Sequence, residues 1–166
     1  MNTEQIFNYS ENFLTEILED LFKLKKIKLS KPDNKEFDNK LRSIVGKKFS
    51  NPEFEDLTKK NDQELKEIII KKFRTIRLER INLLGDEQSK MIEKRILLQS
   101  IDLNWKSHIQ YLEQLRQVIG LRSYGQRDPL IEYKKEAFNL FANLLDKLKL
   151  DYVTILINLK VVEQDT

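Results

Sequence analysis

The stretch that most constrains this chain runs from residue 86 to residue 162. Apolar or aromatic side chains recur at Met91, Leu98, Ile101, Trp105, Leu112, Leu115 and Ile119, with His108 holding one register position. Intervals of three, four and seven place these residues in one stripe on a helix. A second stripe follows at Ile131, Phe138, Phe141, Leu145, Leu148, Tyr152, Ile155, Leu159 and Val162. Only the short turn from Gly120 to Asp128 separates the two. Each arm is about 34 residues, hence ~50 Å at 1.5 Å per residue, and a stripe that long needs a partner to cover it. The nearest partner is the other arm, so the pattern predicts an antiparallel helical hairpin. Its core is expected at Leu98, Trp105, Leu112, Phe138, Phe141 and Leu145.

The residues before the hairpin read as shorter helices. Thr3 is placed to cap a first helix, whose apolar residues from Ile6 to Phe22 recur at helical spacing up to about Lys26. The turn-forming run Ser30-Lys31-Pro32-Asp33-Asn34 is a loop. A helix over 35–45 stops at Gly46, and Ser50-Asn51-Pro52 opens a short helical turn around 53–57. Asp62 is expected to cap a helix to Leu84, with the stripe Leu65, Ile69, Phe73, Ile76 and Leu83 interrupted by Arg80. Gly85 closes it. No strand is expected. The fold class is all-α: a long antiparallel helical hairpin with a small helical subdomain. The expected divisions are 1–24, the end of a long helix; 25–85, the small subdomain; 86–163, the hairpin; and 164–166, a tail.

Chemistry is conspicuous by what the chain lacks. There is no Cys and a single His, which leaves no thiolate site and little imidazole chemistry. The four glycines, Gly46, Gly85, Gly120 and Gly125, are too scattered for a phosphate loop. His108 lies on the apolar stripe and reads as a core or interface histidine. No catalytic, cofactor-binding or metal-binding residue is assigned, and an independent enzyme is not expected. No run of 18 apolar residues occurs and the start lacks a signal-peptide pattern, so a cytoplasmic location is expected. Net charge is +3. Residues 23–48 nevertheless hold ten Lys or Arg against three acids, a local excess of seven. Such a patch suits nucleic acid or an anionic membrane surface, but it lacks the aromatic interleaving of a single-strand binder and reads first as solvated surface.

The turn between the arms is less bland. It displays Leu121 and Tyr124 among Arg116, Arg122 and Arg127. Asp128-Pro129 starts the second arm, with Asp as cap and Pro at the first helical position. Apolar and aromatic groups at the end of a long lever either fold back on the stalk or touch a partner, and the residues alone leave both open.

The motifs themselves carry a resemblance. Leu98-Gln99-Ser100-Ile101-Asp102-Leu103-Asn104-Trp105-Lys106-Ser107-His108 contains a Gln, an Asp and then Trp-Lys-x-His. Leu115-Arg116-Gln117, Leu121 through Pro129, Glu132-Tyr133-Lys134 and Glu136-Ala137-Phe138 continue it without a gap. Together they resemble the helical scaffold region of the SecA family, the ATPase motors of bacterial protein export, closely over about 93–162. Residues 25–85 resemble the family's helical wing domain, more by position than by residue.

The resemblance implies that this chain is one piece of a motor. The nucleotide-binding domains, which use ATP and Mg, would lie elsewhere. It implies that the hairpin is the two-helix finger, which enters the SecYEG channel mouth, touches the preprotein and packs on the nucleotide-binding domains. The tip residues implied are Leu121, Arg122, Tyr124, Gln126 and Arg127, with Tyr124 touching the substrate chain. The implied location is cytoplasmic, peripherally associated with the inner membrane. Ser123 and Gly120 depart from the family's usual residues and shift the turn chemistry. Two other readings are a free-standing helical protein-docking adaptor and a nucleic-acid binder through 23–48.

Overall fold

The computed structural model describes residues 3–122 and 128–160. Among them every regular element is helical, as the periodicity predicts. A 3-10 turn at Thr3–Gln5 leads into α1, Ile6–Ser30; α2 is Glu36–Val45, α3 Asn51–Lys59, α4 Asp62–Leu84, α5 Asp86–Arg122 and α6 Pro129–Asn158. The caps differ in detail from expectation. The cap position of α1 is Gln5, whose side chain makes no capping bond, because the 3-10 turn already begins the winding. Asn61, not Asp62, caps α4, its side-chain oxygen accepting from the Glu64 amide at 2.8 Å. Ser50 caps α3 in a reciprocal box with Glu53, and Pro52 sits in the first turn, where its missing N–H costs nothing.

The hydrophobic core sits at the base of the molecule. Leu14, Leu18 and Leu21 of α1 meet Phe37, Leu41 and Ile44 of α2, Leu65, Ile69 and Phe73 of α4, and Val153, Leu156 and Ile157 of α6. The first helix thus packs on both the short helices and the hairpin's base. Gly46 makes one of these junctions possible. Its φ of +55° is open to glycine, and a Cβ there would collide with the Asn158 side-chain oxygen, whose amide donates to the Ile44 carbonyl at 3.0 Å.

The expected hairpin core is corrected. Leu98, Trp105, Phe138, Phe141 and Leu145 are exposed, with Phe138 at 71%, and Leu112 is half-buried. The seam instead runs through Leu97, Ser100, Asn104, His108, Leu115 and Ile119 of α5. From His108 outward this coincides with the expected stripe. Nearer the base it lies one residue earlier, about 100° round the helix. Two helices bury one seam only. α5 carries apolar residues on more than one flank, and the flank facing α6 near the base is the one whose Asn104 finds partners there. Its amide donates to Asp151 at 3.3 Å and its oxygen accepts from Lys147 at 3.1 Å.

A buried polar cluster ties the base together. Glu93 of α5 accepts from Arg77 of α4 through both oxygens, at 3.0 and 2.8 Å. Ser10 of α1 lies 2.9 Å from the same carboxylate, and the Tyr152 hydroxyl of α6 lies 2.8 Å from Ser10. Burial pushes the Tyr152 phenol's ionisation up, so it stays protonated and can donate to Ser10. Arg80 donates to the Leu156 carbonyl at 2.9 Å.

Candidate functional site

The hairpin of α5 and α6 extends from this base. α5 spans 37 residues and α6 30. Leu121 is 73% exposed and ends the described part of the first arm, with Arg122 as the last helical residue. The Arg122 side chain and Tyr124, Gln126 and Arg127 lie outside the described residues. On the other side of the turn the Asp128 carboxylate accepts from the Leu130 amide at 3.0 Å, with Pro129 at the helix start, as expected. Leu130 and Ile131 are exposed beside it. Arg116 forks onto Glu113 at 2.7 and 3.3 Å. That hydrogen bonding holds the Glu113 carboxyl below its ordinary value and raises Arg116.

The two flanks of the hairpin differ. On one, His108 lies buried between Trp105 and Phe141, with ring centroids 5.4 and 6.0 Å apart, and Leu98, Ile101 and Leu145 are exposed. Trp105 and Phe141 thus each flank the His108 ring while remaining exposed themselves. On the other, a cleft of about 410 Å³ is lined by Asn104, Ser107, Tyr111, Leu140, Asn143, Leu144 and Lys147, with His108 reaching it from the seam. The hydroxyl of Ser100, beside this cleft, is buried without a partner. Among the described residues no group of three or more His, Asp or Glu is placed to hold a metal.

Three cations of the basic stretch at 23–48 are engaged within the fold. Lys25 donates to the Lys60 carbonyl and to Asp62, Lys28 pairs with Asp38 at 2.8 Å, and the Arg42 guanidinium stacks 3.7 Å from the Phe54 ring centroid. Those cations serve helix packing. The cluster around Glu93 was missed at the level of sequence. Its one visible signal was Arg80 standing on an apolar stripe, a position that calls for a buried partner.

Comparison with known proteins agrees with the helical plan. The family model for the SecA Wing and Scaffold domain matches residues 1–160. The protein translocase subunit SecA of Pelagibacter ubique (strain HTCC1062) is 61% identical over 164 residues, covering 99% of this chain and 19% of that protein. The SecA of Hyphomonas neptunium is 52% identical over 79 residues, 48% of this chain and 9% of that protein. That of Caulobacter sp. (strain K31) is 57% identical over 67 residues, 40% of this chain and 7% of that protein. The chain therefore spans about a fifth, or less, of these curated relatives' length. With a matched family model along nearly all of its helices, the chain belongs to the SecA wing and scaffold family.

Proposed function

We propose that this chain serves as the wing and two-helix finger of a preprotein translocase motor. In this reading residues 25–85 are the wing and 86–163 the finger. The finger tip contacts the translocating polypeptide and the SecYEG channel, and the finger's base couples to ATPase domains outside this chain. The observation that carries it is the exposed apolar end of a 37-residue helix, Leu121 with Leu130 and Ile131 across the turn, in a member of this family. Exposed apolar groups clustered at the tip of a rigid arm mark a contact surface more than a fold requirement. Tyr124 suits a moving, varied polypeptide because its ring offers large area at low entropy cost and its hydroxyl tolerates water. Arg122 and Arg127 would steer the tip toward acidic or carbonyl-lined surfaces.

The same reading puts ATP and Mg in the absent domains and none in this chain. It locates the motor in the cytoplasm and peripherally at the inner membrane. Among the described residues no helix is long and apolar enough to cross a membrane. The test is a photo-crosslinker at position 124 in the full-length motor engaged with a preprotein. Cross-links to the translocating chain are expected. Their absence, with Tyr124→Ala lowering the melting point of this chain, would mean that the tyrosine only closes the turn.

A further inference from the structure

We propose that the corner at Gly85 is a joint that aims the hairpin, and that Glu93 is its positioning residue. Gly85 alone separates α4 from α5. Its N–H donates to the Ile81 carbonyl at 2.7 Å, closing one helix, and its carbonyl accepts from the Ser89 amide at 3.1 Å, opening the next. Its φ of +87° with ψ of 162° belongs to glycine, and nothing lies within 4 Å of where a Cβ would be. Gly85 itself therefore contributes no side-chain packing to the corner, while one turn on Ser89 and Lys90 are buried and Lys90 pairs with Glu4 at 3.0 Å and Asp86 at 2.8 Å.

The charged link that ties α4 directly to α5, beside the shared apolar core, lies eight residues away on each side, at Arg77 and Glu93. The guanidinium meets the carboxylate through two nitrogens, Nε to Oε2 at 3.0 Å and Nη2 to Oε1 at 2.8 Å. A fork of this kind fixes orientation as well as separation, which a single-point contact does not. Glu93 is fully buried, and Arg80 stands 3.8 Å from the same carboxylate. The Arg77 guanidinium lies over the Phe7 and Phe73 rings, 4.3 and 4.8 Å from their centroids, which limits its freedom to swing. Ser10 brings α1 to the carboxylate, and Tyr152 brings α6 to Ser10. One side chain thus references the long helix to three others.

The leverage is large. From the joint at Gly85 to the end of α5 at Arg122 is 37 residues, or ~56 Å. A turn of about 10° at the joint would therefore carry the tip through roughly 10 Å, by the same helix rise. This inference does not depend on what the tip touches.

The chain has no cysteine, so two can be added without background. Nitroxides at Glu55→Cys on α3 and Gln110→Cys on α5, both exposed positions, report the angle between the two bodies by double electron–electron resonance on the full chain. The parent should give one narrow distance distribution. Glu93→Gln keeps the size but loses the charged fork, and should broaden the distribution at unchanged far-UV helix content. Ser10→Ala, which leaves the fork intact, should keep the parent width. If Glu93→Gln does not fold, Arg77→Lys, a point charge in place of the fork, carries the same expectation. Parent-like widths in the folded fork variants, well below their melting points, would overturn the proposal even if those melting points fall. Broadening in Ser10→Ala as large as in the fork variant would overturn the assignment to Glu93.

Discussion

At the scale of single residues, burial decides which substitutions matter. Trp105 is 48% and Phe141 43% exposed, so their truncation should cost well under the ~3–5 kcal/mol typical of a buried aromatic. Phe37→Ala, at a fully buried site, should approach that figure. Equilibrium denaturation of the three variants checks the order, and a larger loss for Trp105→Ala than for Phe37→Ala would contradict the position of the core. Gly46→Ala and Gly85→Ala make a second comparison. Both force a side chain into glycine backbone space, a strain of order 1–3 kcal/mol. Only Gly46 adds a collision, with Asn158, so its variant should melt lower.

At the scale of elements, the helix ends show how local chemistry sets boundaries. In the α3 capping box the Glu53 carboxylate accepts from the Ser50 amide at 3.2 Å, and the Ser50 hydroxyl accepts from the Glu53 amide at 3.3 Å. Hydrogen bonding to the Ser50 side chain, then to its backbone, holds the Glu53 carboxyl below its ordinary value. A carboxyl depressed in the folded state favours folding above its unfolded value, and that contribution is lost as pH falls through the folded value. Ser50→Ala should therefore raise the Glu53 titration midpoint followed by NMR, and an unchanged midpoint would refute the cap as its cause. At the other end of the chain, Asp128→Ala removes the cap of α6 and should lower stability by about 1 kcal/mol, read by chemical denaturation. The hairpin's own seam is partly polar, with Lys147 bridging Asn104 and Asp151 at 3.1 and 2.9 Å. Polar pairs at a seam set register more than they add stability, since each must first give up water.

At the scale of the whole molecule, the core and the proposed working end are far apart. The base packs α1, α2, α4 and α6, while the hairpin's distal part relies on a single seam. Hydrogen exchange should therefore show the α6 residues around Leu156 protected to near the global unfolding limit and those around Phe138 exchanging earlier; equal protection would mean that the hairpin shares the core's cooperativity. Much of this was legible in one dimension. Helix positions, the Gly85 break, the Asp128-Pro129 start and the paired arms follow from spacing and cap chemistry, which act within a few residues along the chain. The family motifs from Gln99 to Phe138 are local for the same reason. Which flank of α5 faces α6 was not legible, because periodicity reports that Leu98, Ile101 and Trp105 share a face but not what that face meets. The same holds for Glu93, an unremarkable acid in a charged run until Arg77 and Ser10 reach it from two other helices and Tyr152 joins from a third through Ser10. Side chains distant in sequence meet only when packing chooses among several apolar flanks, and that choice belongs to the tertiary structure.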